Sequence, residues 1–226
     1  MDVVEVIRQR KSIRAFRPDP VPREVLSEIV ELALRAPSWA NTQPWELAVV
    51  AGAKLEAIKE ALSKPDGAGS LPDFPGPEEF PEPYKVRFQN LAAGMSEAAK
   101  KGRRGKQVGE WYLQWPRLYG APAVIYILID RSFCEQRSGL NVYAVFDCGL
   151  LAQNIMLLAA DRGLGTIVQA QAVHSPNVVR RILGIPDSKM ILVGMAIGYP
   201  DWDHPINQFR SDREPAERVV EWYGFD

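Results

Sequence analysis

Residues 142–162 read VYAVFDCGLLAQNIMLLAADR. The run predicts one long helix, apolar on nearly every side, and such a helix belongs at the centre of a fold. Ahead of it, 123–130 (AVIYILID) is the clearest strand, β-branched and apolar as a buried strand should be. Behind it the pattern predicts a strand at 166–170, a short helix around 176–183 and a strand at 190–197. Towards the N-terminus, 2–10 reads as a short helix with Val3, Val4, Val6 and Ile7 near one face. A second helix follows Pro22, carrying Val25, Leu26, Ile29, Val30, Ala33 and Leu34 at helical period, and Pro37 ends it. A strand at 46–51 and a short helix at 54–62 come next. Helices interleaved with a few strands indicate an α+β or α/β domain.

Between 64 and 83 the pattern breaks, with six prolines and three glycines that no interior helix or strand tolerates. Residues 84–118 are helix-forming again, and strongly basic at Lys100, Lys101, Arg103, Arg104 and Lys106. Together 64–118 read as an insertion laid over the surface of a single domain spanning 1–226, and a loop this long suits a lid. From Pro200 to residue 226 runs a C-terminal arm without a strong period, though it holds Trp202, Ile206, Phe209, Val219, Val220, Trp222, Tyr223 and Phe225. Apolar groups at that density should pack against something.

The 226 residues are enough to bury a sizeable core, and a net charge of −1 gives no bulk reason to bind nucleic acid or an anionic membrane. The longest purely apolar run, 121–129, is too short to span a bilayer, and the N-terminus shows no signal core. Two cysteines, Cys134 and Cys148, have no metal-ligand spacing, so a cytoplasmic protein with free thiols is expected. His174 and His204 lack companion ligands, and no P-loop, nucleophile elbow or zinc-protease motif occurs.

Four segments carry polar chemistry. Arg10-Lys11-Ser12-Ile13-Arg14 puts three cations and a hydroxyl within five residues, which suits a phosphate or equally a solvated helix end. In Pro37-Ser38-Trp39-Ala40-Asn41-Thr42-Gln43-Pro44 two prolines stiffen a loop of amides and hydroxyls. Such a loop could read the edge of a planar heterocycle or be a structural turn. Gly163-Leu164-Gly165-Thr166 follows the long helix but is no dinucleotide fingerprint, since the third glycine would fall at Val168. Phe209-Arg210-Ser211-Asp212-Arg213 is basic again near the other end of the chain. No side chain stands out as nucleophile or acid, which points to a cofactor that performs the redox step.

Taken in order, RQRKSIRAF, APSWANTQPW, FDCGLLAQNIMLLAADRGLGT and IGYPDWDHPINQFRSDREP resemble the nitroreductase superfamily of FMN enzymes, over about 6–222 and weakly through 64–118. The resemblance implies an α+β fold, a mixed sheet covered by helices, in an intertwined homodimer with FMN at the interface. It implies that Arg10, Ser12 and Arg213 hold the phosphate, with Lys11 beside them and Arg210 as a further contact. Arg14 would face the N1 and C2-carbonyl edge of the flavin and tune it. Asn41 would bond the pyrimidine edge beside Pro37, Ser38 and Trp39, with Gln43 supporting the loop. Backbone amides near Gln169 and Ala170 would approach N5. The implied activity is ping-pong reduction of a small, flat, electron-poor aromatic acceptor, such as a nitroaromatic or quinone, at the expense of NADH or NADPH. Reductive dehalogenation, flavin breakdown and flavin binding without turnover remain as alternatives, as does an interaction module without cofactor.

Overall fold

A computed structural model describes residues 2–64, 71–101 and 114–225. Strand β2 (Ala123–Asp130) lies inside a four-stranded sheet and is buried over its first seven residues. β1 (Trp45–Ala51) pairs with one edge of it and β6 (Lys189–Gly198) with the other, while β5 (Gly165–Gln169) adds outside β6. These pairings are all antiparallel, and the mixed character comes from an isolated parallel bridge, Ser12 to Thr166. Glu135–Gln136 (β3) and Gly139–Leu140 (β4) form a small hairpin that hydropathy did not signal.

Alternation along β2 feeds two cores. Ile125, Ile127 and Ile129 meet α2 (Arg23–Ala33) and the long helix on one face of the sheet. Val124, Tyr126 and Leu128 meet α3 (Gly52–Leu62) on the other. Short helix α1 (Val3–Gln9) starts on an Asp2 cap and buries only Val6, so its expected apolar face stays largely open at Val3, Val4 and Ile7. α4 (Tyr84–Lys101) follows the proline-rich stretch, α5 (Arg131–Cys134) is a single turn, and α7 (Pro176–Leu183) ends on left-handed Gly184.

The long helix, α6 (Val142–Asp161), corrects one expectation. It covers one face of the sheet instead of sitting at the centre, and buries Ala144, Asp147, Cys148, Leu151, Ala152, Ile155 and Ala159 along one side. By length and composition alone it could cross a membrane, but its inner side is part of the main core. Val142, Tyr143 and Phe146 are exposed on the other side. Gly163, at φ +71°, closes the helix, and the Leu164 amide returns to the Ala159 carbonyl at 2.8 Å. A Cβ on Gly165 would stand 2.4 Å from Ile13 Cγ1, so only glycine lets the 12–16 segment lie this close to β5.

The proline-rich stretch is anchored, not merely laid on. The Asp73 carboxylate is largely enclosed against Arg180 and accepts a hydrogen bond from the Ile191 amide at 2.7 Å, and Phe74 packs on the main core. Leu118, at the end of the expected insertion, is fully buried. Of the 100–106 basic run, the residues beyond Lys101 lie outside the described part of the chain.

Candidate active site

Residues 11–16 leave α1 as extended chain, bridged to β5 at Thr166 and to Pro200 at Phe16. The Ile13 amide donates to the Thr166 carbonyl at 3.0 Å and the Arg17 amide to the Tyr199 carbonyl at 2.9 Å. The arm folds back along this segment through Asn207, which is fully buried. Its Oδ1 accepts from the Arg14 amide at 2.8 Å, and its Nδ2 donates to the Ala15 and Asp201 carbonyls at 2.7 and 2.8 Å. Its carbonyl also takes the Lys11 ammonium, which lies 5.2 Å from the Trp202 ring centroid. One amide thus clamps the two ends of the chain together.

That clamp collects cations. Arg10 is held below its ordinary pKa by burial, then by the charges of Arg213 and Arg210. Lys11 is lowered by burial and then by Arg210. Among the described residues no carboxylate forms an ion pair with Arg10, Lys11, Arg210 or Arg213. The nearest acid in sequence to Arg213 that could serve on its C-terminal side, Glu214, is engaged elsewhere, by Arg87 at 3.0 Å and Arg218 at 3.3 Å. Arg213 instead donates to Ser211 Oγ at 2.9 Å and to the Asp212 carbonyl at 2.8 Å. Like charges gathered without a counter-charge raise the free energy of the fold, and an anion removes that cost. A cleft of about 190 Å³ opens here, lined by Arg10, Lys11, Ile13, Gly165, Thr166 and Trp202. Ser12 is bridged through its backbone to Thr166, which lines the cleft.

Arg14 points elsewhere. Burial lowers its pKa, while the phenol of Tyr119, when ionised, would raise it. Its guanidinium also reaches the Ser12 carbonyl at 3.4 Å. Tyr119 sits in a turn where Leu118, Tyr119 and Gly120 all have positive φ.

The 37–43 loop lies at the other end of α6. Ala40, Asn41 and Gln43 adopt left-handed backbone at φ 49°, 55° and 46°, a conformation that costs non-glycine residues of order 1–3 kcal/mol each. Local bonds hold it. Ser38 Oγ accepts from the Gln43 amide at 3.0 Å, and Gln43 Nε2 donates to the Asn41 carbonyl at 3.3 Å. The buried Asp147 carboxylate accepts from the Trp39 amide at 3.1 Å. Trp39 is 59% exposed and stacks on Tyr143 at 5.9 Å between centroids, whereas Trp45 is core. Pro37 and Asn41 are exposed as well, so the loop presents a stiffened edge to the outside.

From Asp147, which holds the loop, to Ala160, beside the cation cleft, is thirteen residues of helix. At 1.5 Å per residue that is about 20 Å. One chain therefore carries both groups of expected residues but does not bring them together. Of the turn after β5, Ala170 is exposed, while the Gln169 side chain turns inward and is 2% exposed. Both thiols are buried, and burial pushes Cys148 up to about 12, so neither is a nucleophile at neutral pH.

Sequence reasoning missed Asn207, Asp147 and Tyr119. Asp147 had a signal, being the one charge within 142–160. Asn207 had none, because its worth depends on partners almost two hundred residues away.

Comparison with known proteins places the chain in a family. A profile of the Nitroreductase family matches residues 7–199. The chain is 31% identical over 235 residues to the 4-nitrobenzoate reductase of Pseudomonas putida, covering 100% of this chain and 97% of that one. It is 32% identical over 223 residues to the 4-nitrobenzoate reductase of Nocardioides sp. (strain LMS-CY), covering 95% and 87%. The fold superposes on the FMN-dependent nitroreductase NfnB from Mycobacterium smegmatis, solved in complex with NADPH, with a TM-score of 0.86, 29% identity and 98% of each chain covered. A profile match over residues 7–199, with relatives aligned over nearly the whole chain, makes the chain a member of the nitroreductase family.

Proposed function

We propose that the chain is an FMN-dependent oxidoreductase that uses NADH or NADPH to reduce flat, electron-poor acceptors such as nitroaromatics. The observation that carries the reading is the cluster of Arg10, Lys11, Arg210 and Arg213, drawn from both ends of the chain beside a cleft that Arg10 and Lys11 line, with no ion-paired carboxylate among the described residues. A phosphate monoester fits that donor set: it brings two negative charges and oxygens that arginine's planar fork can take two at a time. Arg10, Ser12 and Arg213 would hold the phosphate, with Lys11 and Arg210 beside them.

When bound, FMN would supply the redox chemistry, taking up reducing equivalents from the nicotinamide and passing them to the acceptor in a ping-pong cycle. The chain's own part is binding, orientation and charge. Arg14 places a positive group where it can favour negative charge on the N1 and C2-carbonyl edge. At the turn after β5 the exposed Ala170 would offer its backbone amide to the N5 edge, with buried Gln169 just behind it. The strained 37–43 loop would present Asn41 to the pyrimidine edge, with Pro37, Ser38 and Trp39 beside it and Gln43 bracing it.

The two groups need a second copy of the chain to meet. In a twofold dimer packed through the exposed side of α6, each chain's cation cleft would face its partner's loop, because a twofold axis across a helix exchanges its ends. Val142, Tyr143 and Phe146 on α6, and Val219, Trp222, Tyr223 and Phe225 on the arm, are exposed apolar groups that such a contact would cover. Buried free thiols fit a reducing cytoplasm. An absorbance spectrum of the purified protein, before and after anaerobic NADH or NADPH, tests the reading. We expect bound flavin that bleaches with nicotinamide and returns with 4-nitrobenzoate; a protein that takes up no FMN overturns it.

A further inference from the structure

Three residues stand in one row across the sheet. Tyr126 of β2 pairs with Gly194 of β6, and Gly194 pairs with Gln169 of β5. Residues directly opposite one another share a face, so Tyr126 and Gln169 project into the second core from either side of a glycine. Their polar ends find nothing there. The Tyr126 hydroxyl and both Gln169 amide atoms are fully buried and have no hydrogen-bond partner among the described residues. Burial also raises the Tyr126 pKa well above the usual phenol range.

The packing around Gly194 is close. A Cβ on Gly194 would stand 3.0 Å from Tyr126 Cε1 and 2.8 Å from the Ala172 Cβ. The phenol ring therefore lies over Gly194, leaning from β2 across β6. Ala172, in the 3-10 turn Gln171–Val173, covers the same glycine from above. Any side chain at 194 would force the ring and the turn apart. Native interiors satisfy buried polar groups with protein or ordered water, and a hydroxyl facing a carboxamide supplies the donors and acceptors a water needs.

We propose that Tyr126 and Gln169 form an internal water-binding site beneath the 169–173 turn. One water bridges the Tyr126 hydroxyl and the Gln169 carboxamide across Gly194, and the bridge holds the turn against the sheet. Gln169 is then a positioning residue: its side chain fixes from below the backbone that, on the reading above, meets the flavin. Only that last step rests on the flavin reading; the water site does not.

The test uses the whole protein as purified, with and without added FMN. A high-resolution crystal structure should show a water within hydrogen-bonding distance of both Tyr126 Oη and the Gln169 amide. A direct Tyr126–Gln169 bond, or no water between them, overturns the site. Amide hydrogen exchange at Val173 and His174, whose N–H groups close the turn, reads the positioning role. Tyr126→Phe and Gln169→Leu should each speed exchange there about tenfold, the scale of one lost hydrogen bond, and the double variant no further. Independent, additive effects or unchanged exchange overturn the bridge, and if a variant does not fold the crystal structure of the parent still decides. Failure to bind FMN would leave both readouts intact, so the two proposals fail separately.

Discussion

Two groups of charged side chains lie towards opposite ends of β6 and are treated in opposite ways. Near its start, the buried Arg180 and the largely enclosed Asp73 carboxylate answer each other. Asp73 also takes the Ile191 amide and lies 3.5 Å from Arg131, while Arg180 donates to the Lys189 carbonyl at 2.8 Å. Beyond its end, Arg10, Lys11, Arg210 and Arg213 are drawn together by Asn207 and answered by no acid among the described residues. The first group answers its charges within the chain as it folds, although Arg180 Nε is left without a hydrogen-bond partner among the described residues, and its use is stability. The second lacks a counter-charge among the described residues, and on the proposed reading its use is binding. A charged cluster is therefore read by what is left uncompensated, not by how many charges it holds.

The largest effect should come from breaking the first group. Asp73→Ala leaves Arg180 buried without its counter-charge, which should cost about 3–5 kcal/mol in denaturant unfolding. A loss below 1 kcal/mol would mean that the proline-rich stretch is not pinned there. Next comes the clamp: Asn207→Ala strips partners from the Arg14 amide and two carbonyls, at about 1–3 kcal/mol for each buried group left unsatisfied. It should also weaken FMN binding, since the arm no longer holds its arginines beside Arg10; unchanged affinity would separate the clamp from the site.

Arg10→Ala and Arg213→Ala sharpen the contrast. Each should weaken FMN binding by about ten- to a hundredfold, the worth of one charge-assisted contact at about 1.5–3 kcal/mol. Without FMN, each variant should be no less stable than the parent, because it relieves repulsion. Calorimetry of the FMN-free proteins checks this, and a destabilised Arg213→Ala would show that its charge is already compensated. The smallest effect concerns pH. Hydrogen bonds from Ser132 and Lys189 hold Asp130 at about 2 against an ordinary 3.8. A carboxylate depressed on folding stabilises above its unfolded pKa, so this contribution is whole above about pH 4 and fades towards pH 2. Thermal melts of Asp130→Asn should lack that part of the acid slope.

Where local pattern decides structure, the sequence was legible. Strand 123–130 and helix 176–183 form over the expected residues, since β-branched runs and helical periods need no distant partner. Arg10, Lys11 and Arg213 were legible as residue types suited to an anion, but not as neighbours, because Asn207 ties the arm to Lys11 and Ala15 across 192 to 196 residues. The sidedness of α6 was hidden because an all-round apolar helix has no period to show which face its own chain covers. Asp73 was hidden inside a proline-rich run that carries no pattern, though its carboxylate is among the most enclosed in the described structure.

The central claim is that the uncompensated cations are there for the phosphate of FMN. Comparing the affinity of the FMN-free protein for FMN and for riboflavin, which differ only in that phosphate, tests it most directly. The account predicts that FMN binds at least about a hundredfold more tightly, the sum of two or more charge-assisted contacts, and that Arg10→Ala narrows the gap. Equal affinity for the two flavins would contradict it.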